Sequence, residues 1–174
     1  MAESHLKSAA ITNLNATPPL KQTAGEGASA ELKVISDYVD PLDADDNASD
    51  YRLARFPTTA RIKAVYLSSK VATAGNADIG VAHSTSETDG TPVDKQGDVI
   101  DADAFGAAQS LVLAGVRTDI TFKNQAAFTP AEQNKPAWEA FGLASDPGGY
   151  FDLFLAVSTA ITTGGRIGVE IYFS

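Results

Sequence analysis

The stretch "YFDLFLAVSTAITTGGRIGVEIYF" (150–173) decides the fold, because it holds two segments in which large apolar residues occupy every second position. Successive side chains of a strand point to opposite faces, so such a segment presents one apolar face. In the first segment the residues on that face are Phe151, Leu153, Leu155 and Val157. Burying them contributes roughly 6–12 kcal/mol, at about 1.5–3 kcal/mol each. A slip of one residue in register would expose them all, so the pattern fixes the inward face.

The second segment repeats this design. Its inward residues are Ile167, Val169, Ile171 and Phe173. "TTGG" (162–165) lies between the two segments and is typical of a turn. The sequence therefore predicts a C-terminal antiparallel hairpin.

Further short segments upstream also have β-type patterns separated by turn residues. They are "LKVISDYV" (32–39), "YRLARF" (51–56), "ARIKAVYLS" (60–68), "ADIGVAHS" (77–84) and "VRTDITF" (116–122). A long polar segment, 85–98, separates the last two and is expected to be a loop.

Two segments have helical patterns. In 101–113, Asp101 or Asp103 is a natural N-cap for a helix that places Phe105 and Val112 on one stripe. In 135–143, Pro136 stands near a helix start, and Trp138 and Phe141 share one side.

These elements favour a mainly β protein over a parallel α/β sheet. We expect an antiparallel, jelly-roll-like β-sandwich with two short helices over residues 31–174, preceded by an extended N-terminal arm over residues 1–30.

The arm is composed of small, polar, Pro and Gly residues, and it cannot bury enough surface to offset its own ordering. Its sizeable apolar residues are Ile11, Leu14 and Leu20. Two interpretations stay open. The arm is either simply disordered, or it is ordered against a partner with these three residues as anchors.

The bulk composition excludes several classes of protein. The chain has 174 residues and a net charge of −9, which argues against wrapping nucleic acid, since that needs a basic face. It has no cysteine, so disulfides and thiolate metal sites are absent. No apolar stretch approaches the length of a membrane span, and the N-terminus lacks a signal-peptide pattern.

Candidates for catalysis are few. The two histidines are His5, in the arm, and His83, which we expect at the surface or at a strand edge. A nucleophile needs a neighbouring base, and no such constellation is present. Asp101 and Asp103 are close enough in sequence for acid–base work, but helix capping explains them more simply. The Gly clusters join β segments or lie in the arm, and indicate tight turns rather than phosphate loops. We predict no enzymatic activity and no cofactor.

The run "DADDNASD" (43–50) begins like a calcium loop, with Asp43, Asp45 and Asn47 at alternate positions. An EF-hand needs Gly at the sixth place and Glu at the twelfth, where this chain has Ala48 and Ala54. A polar turn is the favoured interpretation, and weak calcium binding is the alternative.

Aromatic side chains raise the question of a sugar-binding platform. The candidates are Tyr66, Trp138, Tyr150 and Tyr172. A lone Trp beside Phe141 in an amphipathic turn favours a place in the core.

Several segments together resemble small structural proteins of tailed bacteriophages, among which capsid decoration (cement) proteins are the best fit. The segments are "YRLARFPTTARIKAVYL", "ADIGVAHS", "VIDADAFGAA", "KPAWEAFGLASDPGGYFDLFLAV", "GGRIGVEIYF" and the arm-like "ITNLNATPPLKQTAGEGASAELKVISDYV". The most distinctive of these pieces is "WEAFGLASDPGGYFDL" (138–153).

The resemblance implies a β-sandwich that assembles as a trimer on the capsid surface, with the arm extending over neighbouring subunits. The partner would then be the major capsid protein, with no role for nucleic acid or a membrane. Two rivals remain. One is a tail or fibre component whose loops, including 85–98, touch the host or its glycans. The other is a small hydrolase or sugar-binding module.

Overall fold

The structure, a computed structural model, describes residues 5–7, 12, 15, 32–42, 45–70, 75–86 and 88–174. Its strands are β1 (His5–Lys7), β2 (Lys33–Val39), β3 (Asp50–Pro57), β4 (Ile62–Ser69), β5 (Asn76–His83), β6 (Val99–Ser110), β7 (Thr118–Asp119), β8 (Tyr150–Thr159) and β9 (Ile167–Phe173). A one-turn helix, α1 (Ala137–Ala140), and two 3-10 turns, Val93–Lys95 and Glu132–Asn134, lie in the connections.

The strands form two sheets. The five-stranded sheet has the order β1-β3-β8-β5-β6, and the four-stranded sheet has the order β2-β9-β4-β7. The pair β1–β3 is parallel, and the remaining pairs are antiparallel. A mainly β protein with two packed sheets, as the sequence predicts, is therefore confirmed.

The core lies between the two sheets. Phe56 of the five-stranded sheet contacts Phe173 of the four-stranded sheet, with ring centroids 6.4 Å apart, and Phe151 with centroids 6.2 Å apart. Phe105 of β6 forms a second aromatic cluster with Phe128 and Phe141 of the connection that carries α1, with centroid separations of 5.2–5.9 Å. Thus Phe141 joins the core cluster.

The predicted C-terminal hairpin is wrong, although both of its strands exist. β8 pairs with β3 and β5, whereas β9 pairs with β2 and β4 in the other sheet. The reason lies in Ile161, which is fully buried and donates its N–H to the carbonyl of Asp45 at 2.9 Å. This anchor directs the connection across the sandwich instead of into a tight turn, so each strand becomes a central strand with two neighbours.

The predicted helix over 101–113 is also wrong, because β6 occupies most of this segment. β6 pairs with β5 through an irregular register, and Gly106 and Ala108 have φ angles of +151° and +47° that no helix tolerates. Gly also costs about 1 kcal/mol in a helix interior. Tertiary pairing with β5 therefore prevails over the local helical pattern.

The other predicted elements have mixed outcomes. The strands over 32–39, 51–56, 60–68 and 77–84 are confirmed with shifts of a residue or two. The strand over 116–122 is reduced to Thr118–Asp119. Beyond it, the Ile120 N–H donates to the Val65 carbonyl, and the Thr121 hydroxyl oxygen accepts the Val65 N–H, both at 2.9 Å. The helix over 135–143 is confirmed as the short α1, in which Pro136 is the N-cap residue.

Candidate interaction surfaces

The outer face of the four-stranded sheet carries tyrosines covered by arginines. Tyr66 of β4 and Tyr172 of β9 meet edge to face, with ring centroids 5.7 Å apart. The guanidinium of Arg117 lies 3.3 Å from the centroid of Tyr66. We call the set Tyr38, Tyr66, Tyr172, Arg117 and Arg166 the tyrosine face. Tyr and Arg are enriched in protein–protein interfaces, where they dominate the binding energy.

Arg117 is fixed in place by hydrogen bonds. It donates to Oε2 of Glu170 from Nε at 3.1 Å and from Nη2 at 2.9 Å, and to the hydroxyl of Tyr172 at 3.1 Å. The hydrogen bond from Arg117 lowers the pKa of Glu170, so this carboxylate stays ionised. These bonds hold the guanidinium over the Tyr66 ring.

A second stacked arginine lies at the edge of the same sheet. Arg166 lies 3.8 Å from the ring centroid of Tyr38 and bonds both carboxylate oxygens of Asp40 at 2.9 and 3.0 Å. This pair is open to solvent, with side-chain exposures of 56% and 55%. It therefore belongs to the exposed part of the tyrosine face.

The outer face of the five-stranded sheet is different, because it buries charge. We call Arg52, Arg55, Asp89 and Asp152 the arginine cluster. Asp152 is completely buried and accepts from Arg55 Nε at 2.6 Å and Nη2 at 3.0 Å. Arg52 lies 3.7 Å from the same carboxylate, and Asp89 lies 3.5 Å from Arg55. The alternation of β8 suggests a solvent-facing Asp152, so this burial was not predicted.

The arginine cluster pins the loop over residues 84–98, of which Glu87 is not described. Arg52 donates to the carbonyls of His83 at 3.1 Å and Gly97 at 3.2 Å, one at each end of the loop. Thr91 accepts the N–H of Tyr150 at 3.1 Å. The loop is consequently anchored to β3 and β8, and it presents Val93 with 78% exposure.

Two described parts of the predicted arm, β1 and Asn15, contact this same sheet. β1 adds to the edge of β3, with Leu6 beside Tyr51. Asn15 accepts from Arg55 Nη1 at 2.9 Å and donates to the hydroxyl of Thr85 at 3.2 Å. The predicted anchor residues Ile11, Leu14 and Leu20 lie outside the described residues, so their role stays a prediction.

The candidate calcium loop is partly described. Asp43 lies outside the described residues, and Asn47 is exposed in a turn. Asp45 is 4% exposed, and its Oδ2 accepts from the Tyr51 hydroxyl at 2.8 Å and from the Leu42 N–H at 3.0 Å. Burial, followed by this hydrogen bond, raises the pKa of Tyr51. In the described part, Asp45 thus stabilises the turn, and calcium binding by the whole run stays a prediction.

His83 is not at the surface, contrary to the sequence-based expectation. It is 5% exposed and packs edge to face on Phe151, with ring centroids 5.4 Å apart. Its Nδ1 has no hydrogen-bond partner among the described residues, and burial lowers its pKa. The alternating pattern of β5 already directs this residue inward, as the partner of Phe151 in β8.

Asp101 and Asp103 are not helix caps, because they lie two apart on β6. Asp101 Oδ1 accepts the backbone N–H of Asp103 at 3.1 Å. Burial raises the pKa of Asp101, and the neighbouring carboxyl of Asp103 adds to the rise. Within the described residues, no third acidic or histidine side chain joins them to form a group that could hold a metal ion.

The four aromatic residues considered for sugar binding do not form one platform. Tyr66 and Tyr172 are in ring contact on the tyrosine face, whereas Trp138 packs against the core and Tyr150 begins β8 in the other sheet. Arg117 also covers the ring of Tyr66 on which a sugar would stack. In the ranges that the structure describes, no helix has the length and apolarity to cross a membrane.

Comparison with known proteins finds similarity at the level of structure. No protein-family model matches the chain, and no curated protein matches it. A chain in the structure titled "Capsid of Ralstonia phage GP4" has a TM-score of 0.62 and 11% identity, over 97% of this chain and 96% of that chain. A chain in "Cyanophage Pam1 capsid asymmetric unit" has a TM-score of 0.48 and 17% identity, over 91% of this chain and 95% of that chain. At this identity the first likeness shows a shared fold.

Proposed function

We propose that this chain is a non-enzymatic structural protein of a bacteriophage virion, which decorates the capsid surface and stabilises it by bridging major capsid subunits. The observation that carries the proposal is the likeness to a chain from a phage capsid structure over 97% of the present chain.

The strand order supports a jelly roll, which is common among viral capsid proteins. Without β1, the order β3-β8-β5-β6 faces β2-β9-β4-β7, so consecutive strands from β2 to β5 alternate between the sheets. We therefore assign β2–β9 to an eight-stranded jelly roll and β1 to the arm that precedes it.

The two outer faces suit the two tasks of a decoration protein. The arginine cluster ties the arm, through Asn15, to the central strands of a rigid body. The tyrosine face presents pre-positioned Tyr and Arg side chains, which lose little conformational entropy on binding. Many weak contacts repeated over a lattice add up to firm attachment.

We further propose that the arm binds the capsid through Ile11, Leu14 and Leu20, and that the body assembles as a trimer at the capsid surface. Deleting residues 1–30 is a poor test, since it also removes β1 and Asn15 from the five-stranded sheet. A better test replaces only the three apolar anchors.

The test compares two triple variants of equal charge. The first is Ile11→Asp, Leu14→Asp and Leu20→Asp, and the matched control is Ala10→Asp, Thr17→Asp and Thr23→Asp. The first should lose capsid binding in a co-sedimentation assay with undecorated capsids, whereas the control should bind. Full binding by both, or loss of binding by both, would remove the apolar anchors from the proposal.

The alternative is a tail or fibre component that touches the host or its glycans. The exposed Val93 on the anchored loop 84–98 favours it, because recognition commonly uses loops on a rigid scaffold. Copy number per purified virion, measured by quantitative mass spectrometry, separates the two. Hundreds of copies, comparable with the major capsid protein, support decoration. A few to a few dozen support the tail or fibre, and absence from virions contradicts both.

A further inference from the structure

β2 is a long sheet edge whose outer side pairs with no strand in the described ranges. It runs in unbroken register with β9 over seven residues, from Lys33 opposite Phe173 to Val39 opposite Ile167. The opposite edge strand of this sheet, β7, has two residues, and the edge strand β6 of the other sheet is interrupted by register shifts. Short or irregular edges resist pairing with other chains, whereas a regular one such as β2 invites it.

The backbone groups on the open side of β2 can be identified. β9 uses its even-numbered residues toward β4, as in the bond from the Lys70 N–H to the Arg166 carbonyl at 2.8 Å. The odd-numbered residues of β9 therefore form the backbone hydrogen bonds to β2. The residues of β2 that lie opposite them are also odd-numbered. Leu32, Val34, Ser36 and Tyr38 consequently direct their N–H and C=O groups away from β9.

The apolar side chains along this edge are unusually exposed. Leu32 is 58% exposed, Val34 is 48% exposed and Tyr38 is 46% exposed. The N–H of Tyr38 is occupied by the neighbouring carboxylate, since Asp37 Oδ1 accepts it at 2.8 Å. An acidic side chain that covers an edge N–H protects the isolated chain from indiscriminate pairing.

We propose that β2 is the site at which a second copy of this chain adds, strand to strand, about a two-fold axis through Ile35. The segment "LKVISDY" (32–38) is self-complementary in this antiparallel register. Lys33 lies opposite Asp37 of the second copy, Leu32 opposite its Tyr38, Val34 opposite its Ser36, and Ile35 opposite its Ile35.

Two of these pairs, Lys33 with Asp37 and Leu32 with Tyr38, are favourable for a physical reason. Opposite charges, and an aromatic residue opposite an aliphatic one, each stabilise a cross-strand pair. The open edge directs the even-numbered residues to the partner strand, so this register forms about eight backbone hydrogen bonds. A two-fold axis through Ser36 instead would place Lys33 opposite Val39 and Asp37 opposite Ile35. Each charged side chain would then lie opposite an apolar one, and no cross-strand ion pair would form.

The pairing also accounts for the bond between Asp37 and Tyr38. In the two-fold pair, the Tyr38 N–H donates to the Leu32 carbonyl of the second copy, and the Asp37 carboxylate lies opposite Lys33 of that copy. One N–H of the edge is therefore covered within the chain, and the edge as a whole is self-complementary in the pair. The inference stands on β2 and does not depend on the proposed function, although on a capsid such pairs would join neighbouring copies.

Disulfide trapping tests the proposal, because the native chain has no cysteine. A single strand pair is smaller than a standard interface and so is weak in solution, which makes covalent trapping the right readout. Ile35→Cys places two thiols at a non-hydrogen-bonded pair, where the Cα atoms are about 4.5 Å apart, within the range of a disulfide. The matched control is Ser158→Cys, at an exposed position of β8.

Under mild oxidation of the full chain, Ile35→Cys should form disulfide dimers at least about tenfold faster than Ser158→Cys. The register is tested by mixing Lys33→Cys with Asp37→Cys. Neither variant should crosslink alone, since identical positions lie about 13 Å apart along the strand, whereas the mixture should form heterodimers. Circular dichroism of each reduced variant confirms that it is folded.

Three results would overturn the proposal. Equal rates for Ile35→Cys and Ser158→Cys would mean that β2 does not meet β2. Dimers of Ile35→Cys without heterodimers in the mixture would refute the register. Protection of β2 from hydrogen exchange only in the presence of capsids, with no trapped dimer, would assign the edge to a strand of a different protein and contradict the present inference.

Discussion

From the burial of the arginine cluster, we predict that two chemically identical substitutions, Asp152→Asn and Asp40→Asn, differ greatly in their effect on the free energy of unfolding. Asp152→Asn and Asp40→Asn each remove one carboxylate that accepts two hydrogen bonds from a single arginine, at 2.6 and 3.0 Å in the first case and 2.9 and 3.0 Å in the second. The side chains of Arg55 and Asp152 are 2% and 0% exposed, whereas those of Arg166 and Asp40 are 56% and 55% exposed. Burial is therefore what distinguishes the two sites.

Removing one partner of a buried ion pair costs about 3–5 kcal/mol, because the other charge stays buried without compensation. In this protein Asp89, 3.5 Å from Arg55, offsets part of that cost. We therefore expect about 3 kcal/mol for Asp152→Asn, which corresponds to a fall in Tm of about 6–12 °C for a domain of this size. The exposed pair is screened by water, so Asp40→Asn should leave Tm unchanged within error.

The assay is thermal and urea unfolding of both variants, followed by far-UV circular dichroism, at a pH near 7 and low ionic strength. Equal losses in the two variants, or a loss below about 1 kcal/mol for Asp152→Asn, would refute the reasoning, since burial would then not set the value of the pair. A change in the urea m-value would indicate an altered unfolded or native state instead of lost pairing.

Three further predictions concern other parts of the sandwich. Gly80→Ala should cost about 1–3 kcal/mol or more, because its Cβ would lie 2.3 Å from the Asp101 carbonyl oxygen. Gly168→Ala should cost less in the same urea titration, because the nearest atom to its Cβ would be the Ser68 hydroxyl oxygen at 3.0 Å. The pKa of His83 is lowered by burial, so the unfolded chain takes up a proton near pH 6.5 before the folded chain does. Stability should therefore fall as the pH drops below about 6.5, and the fall should be smaller in His83→Gln; identical pH profiles would contradict this. Asn15→Ala should cost about 1 kcal/mol and speed hydrogen exchange in loop 84–98, and unchanged exchange there would remove the link between arm and loop.

The sequence predicted most of the strands, with β6 as the main exception, but the one strand pairing that it predicted, between β8 and β9, was wrong. The period-2 pattern of β8 and β9 depends on local side-chain alternation, which a single strand already displays. Which sheet each strand joins depends on Ile161, whose bond to Asp45 reaches across 116 positions of the chain, from 161 back to 45. No local pattern carries that information.

The candidate surfaces were predicted only in part. Tyr66 and Tyr172 were recognised as aromatic candidates, but their partner Arg117 lies over fifty residues away from Glu170 and Tyr172 in sequence. The buried charge of Asp152 was missed because alternation alone places it outward, whereas Arg55, Asp89 of the loop 84–98 and Asn15 gather around it in the fold. The helix-like spacing in 101–113 led to a wrong prediction, because the positive φ of Gly106 and the pairing with β5 make this segment a strand.

The crossing of the chain between β8 and β9 has a consequence for the order of folding. β2 finds its partner β9 only at the far end of the sequence, where Lys33 meets Phe173, and β3 likewise depends on β8. Chains dominated by such distant pairings fold slowly, because the entropic cost of closing a long loop comes before the contacts between the strands can stabilise the fold. During synthesis, β2–β5 must therefore leave the ribosome with their central neighbours still missing. We expect the sandwich to form in one late step after translation is nearly complete, and until then its unpaired strands are exposed to aggregation.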